Sequence, residues 1–198
     1  MERKIVVITD PEFLPGEAEL IGMLLEAGAW RVHVRKPGSD AAETAALLEG
    51  IAPRYRSRLS LHDHHDLALR YGVGGVHLNS RNPQRPDGFN GLVSRSCHSL
   101  EELGRYAATC GYMFLSPVFD SISKTGYASH FTLDEIRAGA GEGVVTDRVL
   151  ALGGVTAGNI GLALDAGFGG AAVLGWIWGP YAEDGDAGAL MERFRKLL

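Results

Sequence analysis

Val149-Leu150-Ala151-Leu152-Gly153-Gly154 is an apolar run closed by two glycines, and about twenty residues later Ala171-Ala172-Val173-Leu174 closes in the same way on Gly175-Trp176. Both runs read as buried strands. Glycine at the C-terminal end of a strand leaves its backbone N–H groups bare, so two such ends side by side make a seat for an anion. This is how (β/α)8 barrels grip a phosphate.

Upstream of this pair the chain keeps one rhythm, short β-branched runs alternating with stretches of helical period, which is the pattern of βα units around a parallel sheet. Eight strands are expected, near Lys4–Thr9, Trp30–Arg35, Leu59–His62, Gly75–Leu78, Leu92–Ser96, Tyr112–Ser116, Val149–Gly153 and Ala171–Leu174. The clearest helices are Glu17–Ala27, with Leu20, Met23, Leu24 and Ala27 on one face, and Ser99–Thr109, opened by Ser99 and Glu102 as a capping box. Thr132 and Thr156 read as caps of two more. The Val76–Gly91 region, with Pro83, Pro86, Asp87 and Gly88, reads as loop, and a chain this short must shorten or omit some helices of an eightfold barrel. A doubly wound sheet is the competing fold. Thr9-Asp10-Pro11 stands where its GxGxxG would follow the first strand, so the barrel is preferred.

The 198 residues are 45% hydrophobic and 22% charged, which fits one globular domain over residues 1–198 and excludes a disordered or fibrous chain. A formal charge of −5, with Lys and Arg dispersed along the chain, gives no electrostatic footprint for nucleic acid. Met1-Glu2-Arg3-Lys4-Ile5 enters a strand at once, with no signal peptide, and no run reaches the length of a membrane span. A cytoplasmic protein is expected. Cys97 and Cys110 then read as reduced thiols.

Barrel chemistry sits at the C-terminal strand ends, so the polar residues there are the candidates: Asp10, His33 with Arg35, His62 with Asp63, His77 with Asn79, Ser96 with His98, and Ser116. The run His62-Asp63-His64-His65-Asp66 invites a transition-metal reading. Adjacent residues splay around a helix start, however, so only His62 and Asp63 are expected at the mouth, with His64 to Asp66 on a solvated helix N-terminus. A strand-terminal Arg35 is apt for an oxyanion, which its fork pairs bidentately. Trp176 and Trp178 read as packing aromatics.

In order along nearly the whole chain, these segments resemble the thiamine-phosphate synthase and TenI superfamily. Ile8-Thr9-Asp10 resembles its first strand end, His33-Val34-Arg35-Lys36 its Q-L-R-E segment, Leu61-His62-Asp63 with Asp66-Leu67-Ala68 its L-I-N-D and D-L-A, and Gly75-Val76-His77-Leu78 its G-x-H-L. Ser96-Cys97-His98-Ser99, Leu115-Ser116-Pro117-Val118-Phe119, Ser121-Ile122-Ser123-Lys124 and Leu152-Gly153-Gly154-Val155 complete the match.

The resemblance implies a small eightfold barrel that binds a thiazole phosphate, and one of two chemistries. The synthase joins a pyrimidine diphosphate to the thiazole phosphate, and the resemblance gives it Mg2+ on two aspartates plus cations for the departing pyrophosphate. Asp63 matches the first aspartate. Asn79-Ser80-Arg81-Asn82, where the second falls, has no carboxylate, and Lys36-Pro37 replaces a glutamate-lysine pair. His33, His62, Ser121 and Ser123 remain candidates for a pyrimidine or pyrophosphate site.

The TenI branch moves a proton on a thiazole carboxylate phosphate, a task for imidazole that requires no cofactor. Arg95-Ser96-Cys97-His98-Ser99-Leu100-Glu101-Glu102 resembles the segment with that branch's catalytic histidine, which makes His98 the expected proton carrier. The preferred expectation is a TenI-like thiazole tautomerase. In it the Gly153, Gly154, Gly175 and Trp176 amides hold the phosphate, and Arg35, Ser96 and Lys124 complete the substrate site. The alternatives are thiamine-phosphate synthase with Mg2+, and a non-catalytic phosphate-binding or regulatory protein.

Overall fold

The computed structural model describes residues 3–120 and 131–198. In it eight parallel strands close into a barrel, β1 to β8 in sequence order, with β8 pairing back onto β1. The strands are β1 Lys4–Ile8, β2 Arg31–Val34, β3 Leu59–Leu61, β4 Gly75–Leu78, β5 Leu92–Cys97, β6 Tyr112–Leu115, β7 Val149–Leu152 and β8 Gly170–Val173. Around them run α1 Glu17–Glu26, α2 Ala41–Gly50, α3 Pro53–Arg56, α4 Asp66–Tyr71, α5 Leu100–Tyr106, α6 Leu133–Gly141, α7 Ile160–Asp165, α8 Gly175–Asp184 and α9 Ala187–Arg195. Among the described residues no helix is long and apolar enough to cross a membrane.

The expected strands all form, with ends that move for a physical reason. Thr9, Arg35, His62, Ser116 and Gly153 leave the ladder where the chain turns to build the mouth, while Cys97 joins β5 and Gly170 joins β8. The loop expected over Val76–Gly91 begins only after Leu78, because Val76–Leu78 complete β4, and no helix separates β4 from β5. Phe89 is the one buried residue of that loop.

Helix starts follow local chemistry. Asp40 with Glu43, and Thr132 with Glu135, form complete capping boxes. At α5 the Ser99 Oγ accepts from the Glu102 N–H at 3.1 Å, but the Glu102 carboxylate reaches one residue further back, to the His98 N–H at 2.7 Å. Thr156 does not cap a helix. Its Oγ accepts from the Gly158 N–H in the preceding turn, and Asn159 is the N-cap of α7. On α1 the buried face is Leu20, Ile21, Leu24 and Leu25, and Met23 points outward at 42% exposure.

Period-two alternation divides each strand between two cores. The outer faces pack under the helices in one large cluster that includes Ile5, Val7, Val32, Val34, Leu61, Cys97 and Leu115. The inner faces fill the barrel. On one side they are apolar, with Val6, Ile8, Phe114, Leu150 and Ala172 joined by Tyr112. On the other they are polar and equally buried: Arg31, His33, Ser60, His77 and Ser94. His33, His77 and Phe114 come from the alternate strands β2, β4 and β6, and the Phe114 ring centroid lies 5.1 Å from His33 and 5.3 Å from His77. This is the layered filling expected of an eightfold barrel. Gly75 makes room for the buried guanidinium below, since a Cβ there would sit 2.8 Å from Arg31 Nη2.

A buried ion pair braces the first turn of the mouth. Lys36 Nζ donates to both Glu17 carboxylate oxygens, at 2.6 and 2.7 Å, and to the carbonyls of Asp10 and Glu12. Lys36 therefore ties the end of β2 to the β1–α1 connection rather than facing a ligand.

Candidate functional site

A cavity of ≈ 660 Å³ opens at the C-terminal ends of the strands, the usual size and place for a small-molecule site in this architecture. Gly153, Gly154, Gly175 and Trp176 line one side. Gly153 and Gly154 have φ of 95° and 63°, in the left-handed region that side chains disfavour. Close packing adds to this requirement: a Cβ on Gly153 would meet the Pro117 Cα at 2.9 Å, and one on Gly154 the Asp120 carbonyl oxygen at 2.2 Å. Gly175 and Trp176 open α8, so their N–H groups lie at the positive end of a ten-residue helix. Among the described residues nothing accepts from the N–H of Gly153, Gly154, Gly175 or Trp176. The Trp176 indole meanwhile leans outward to the Arg193 carbonyl, and Trp178 is fully buried with its Nε1–H on the Ile8 carbonyl.

His62, His77 and Ser96 line the opposite side. His33 does not reach the cavity. It is 0% exposed beneath His62, with its Nδ1 2.9 Å from His62 Nε2 and its Nε2 on the Tyr112 hydroxyl. The chain of hydrogen bonds continues inward to Arg31. Arg31 Nε can only donate, and it does so to Ser60 Oγ at 3.1 Å. The Ser60 hydroxyl lies 3.2 Å from the Tyr112 hydroxyl, Tyr112 is hydrogen-bonded to His33 Nε2, and His33 Nδ1 is hydrogen-bonded to His62 Nε2. His77 is held separately, by Ser94 Oγ at 2.9 Å and Ser96 Oγ at 3.1 Å. Desolvation keeps all three imidazoles neutral: it pushes His33 and His62 well below the usual range and His77 down to about 3.

One ring nitrogen from each of His33, His62 and His77 lies within 4.8 Å of the other two, a spacing that could suit a metal. Ring geometry argues against one. His62 and His77 stack at 4.1 Å with an interplanar angle of 19°, so their in-plane lone pairs run side by side and do not converge on one point. Both His77 nitrogens are also occupied by serines, so the trio is a hydrogen-bonded core. In the run that suggested a metal from sequence, His65 is buried rather than solvated, and His64 bonds the Ser39 carbonyl.

His98 follows β5 and lines the cavity, with its Nδ1 2.9 Å from the Ser116 carbonyl. A carbonyl only accepts, so Nδ1 carries the proton and Nε2 keeps its lone pair. The Cys97 thiol is pushed up to about 12 by burial and does not compete as a proton carrier near neutrality. Arg35 lines the cavity as expected. Lys124, Ser121 and Ser123 lie outside the described residues.

Three lining residues escaped the sequence reading. Arg95 lies over the Tyr106 ring at 4.3 Å, and its Nε is buried without a partner. Arg81 clasps Asp63 through Nε and Nη2, both at 2.9 Å. Tyr106, from α5, is the third.

That clasp bears on Mg2+. Both Asp63 oxygens are taken by Arg81, one of them also by Asn82 Nδ2 at 3.1 Å, and residues 79–82 add no carboxylate. An Mg2+ ion needs free oxygen ligands and would sit against a guanidinium of like charge. The residues as arranged do not fit the metal.

Fold and site together define a (β/α)8 barrel with a cavity at the C-terminal strand ends, lined on one side by the paired glycine ends of β7 and β8. Comparison with known proteins narrows the class. The sequence profile of the thiamine monophosphate synthase (TMP-TENI) family matches residues 5–177, and the chain belongs to that family of thiamine-biosynthesis enzymes. The crystal structure of thiamine phosphate pyrophosphorylase from Bacteroides thetaiotaomicron is 36% identical, superposes with a TM-score of 0.87, and is matched over 98% of this chain and 95% of its own. The thiamine-phosphate synthase of Chromobacterium violaceum is 29% identical over 80% of each chain, and that of Marinobacter nauticus 28% identical over 93% of this chain and 87% of its own. A pyrophosphorylase structure from Pyrococcus furiosus, 23% identical with a TM-score of 0.77 over 98% of this chain and 93% of its own, shares the fold.

Proposed function

We propose that the chain binds a thiazole phosphate at the barrel mouth and joins it to a pyrimidine diphosphate, the coupling that the resemblance to the synthase implies. The observation that carries the binding reading is the set of amides at Gly153, Gly154, Gly175 and Trp176 that have no acceptor among the described residues, which suit a dianion without basic side chains. In the coupling reaction the C–O bond to the diphosphate breaks and its electron pair leaves with pyrophosphate, while the lone pair of the thiazole ring nitrogen forms the new C–N bond to the same carbon. The residues required are therefore fixed positive groups near the departing oxygens. Arg35, Arg81 and Arg95 line the same cavity. This reading replaces the tautomerase expectation as the first to test, because the relative matched over 95% of its length at 36% identity carries the pyrophosphorylase name.

Tautomerisation stays as the second reading on one observation, the lone pair of His98 Nε2 held at the cavity by the Nδ1–H bond to Ser116. There His98 takes a proton from one position of the ring system and returns it at another, with no metal required.

Assays of purified protein with each substrate set separate the readings. Thiamine phosphate and pyrophosphate as products establish coupling. Conversion of the thiazole carboxylate phosphate tautomer alone establishes the second reading, in which His98→Asn should cost on the order of 10²–10⁴ in turnover. Thiazole phosphate binding with neither turnover leaves a binding or regulatory protein.

A further inference from the structure

We propose that Arg81 takes the place of the divalent cation: with Arg35 and Arg95 it forms a metal-independent subsite for a diphosphate group, on the β2–β5 rim facing the glycine seat. The assignment of the ligand rests on the coupling reading above.

Arg81 lines the cavity whereas Asp63 does not, so an entering ligand meets the guanidinium and not the carboxylate. Asp63 uses only the Nε and Nη2 edge of the fork. The remaining N–H groups of a guanidinium with five donors are left for a second oxyanion. The side chains are 56% exposed for Arg81 and 16% for Asp63, which places Asp63 behind Arg81 as its anchor.

The turn carrying Arg81 is itself fixed. Asn79 Oδ1 accepts from the N–H groups of Arg81 and Asn82, both at 2.9 Å, and Asn79 Nδ2 donates to the His62 carbonyl at 2.7 Å. Arg95 adds a buried Nε–H with no partner, and no described carboxylate pairs with Arg35. Glu102, the one carboxylate among the described residues that line the cavity, is turned to the His98 N–H. A diphosphate is the ligand that answers several fixed guanidiniums with several oxygens.

The test is calorimetric titration of the whole protein with inorganic pyrophosphate, once with EDTA and once with Mg2+. Wild-type protein should bind in EDTA, and Mg2+ should not tighten the binding. Arg81→Ala should weaken it roughly tenfold or more, the worth of lost charge-assisted hydrogen bonds, and Arg81→Lys should recover part. Asp63→Asn should bind as well or more tightly, because the fork is released. No binding in EDTA, rescue by Mg2+ and loss in Asp63→Asn would overturn the proposal and return Asp63 to a metal.

Thiazole phosphate titrated separately keeps the two readings apart. If it binds wild type and Arg81→Ala alike while pyrophosphate fails, the subsite falls and the proposed function stands. If pyrophosphate binds without metal and thiazole phosphate does not bind, the proposed function falls and the subsite stands.

Discussion

One half of the barrel interior is oil and the other is a hydrogen-bonded solid. Val6, Ile8, Leu150 and Ala172, on β1, β7 and β8, fill their half by apolar packing, whereas Arg31, His33, Ser60, His77 and Ser94, on β2 to β5, fill theirs with polar groups that are just as buried. The mouth repeats the division. Above the apolar half the cavity wall includes the glycine backbone, and above the polar half it is side chains. Glycine is needed at Gly153 and Gly154 because the left-handed backbone and the close approach of Pro117 and Asp120 leave no room for a Cβ. The polar half offers donors but must satisfy each of them, because an unpaired buried group costs about 1–3 kcal/mol.

Acid should separate the halves most strongly. His33, His62 and His77 all have folded-state pKa values depressed by burial, so the unfolded chain takes up their protons first. Stability from these groups is complete above their ordinary value of about 6.5 and is lost as pH falls from there toward the folded value, about 3 for His77. Urea unfolding across this range should show a steep decline. A flat profile between about pH 6.5 and 4 would mean that water reaches the polar half.

Next in size is Phe114→Ala, at the seam. A cavity from a buried phenyl costs about 3–5 kcal/mol. Because Phe114 packs on both His33 and His77, the variant should also lose part of the acid sensitivity as water enters beside the rings. Chemical denaturation at two pH values reads both effects. Tyr112→Phe is smaller, about 1–2 kcal/mol, since it leaves His33 Nε2 without its partner and removes one hydroxyl. Its sharper signature is nitrogen NMR of His33 and His62, whose tautomer populations should shift when the Tyr112 hydroxyl is lost from His33 Nε2. Unchanged populations would show that Tyr112 does not set the tautomers of the pair.

The strands were legible because apolar runs closed by glycine or a polar residue mark both the ladder and its end. Gly75–Leu78 is a strand with the expected bounds, although the loop expected from Val76 overlapped it. Candidate residues at strand ends were legible for the same reason, and Arg35, Ser96, His98 and the glycines do share one cavity. What sequence could not supply was depth: His33 and His62 look alike as strand-end histidines, yet a shift along the barrel axis buries the first beneath the second. Tyr112 was within reach, since it alternates inward with Phe114 and Ser116. The pairing of Asp63 with Arg81 was not, because it depends on how the irregular turn at Asn79–Asn82 folds back on β3.

The missing helix between β4 and β5 has a consequence for how the native barrel breathes. Elsewhere a strand is shielded from water by a full helix, but here the outer wall is a loop with Phe89 as its single buried side chain. Local opening selects the segment with the least apolar cover. Amide protons of β4 and β5 should therefore exchange through this thin wall sooner than those of β1 and β8, and the donors of β4 and β5 that support the polar half sit on the part of the barrel that opens first.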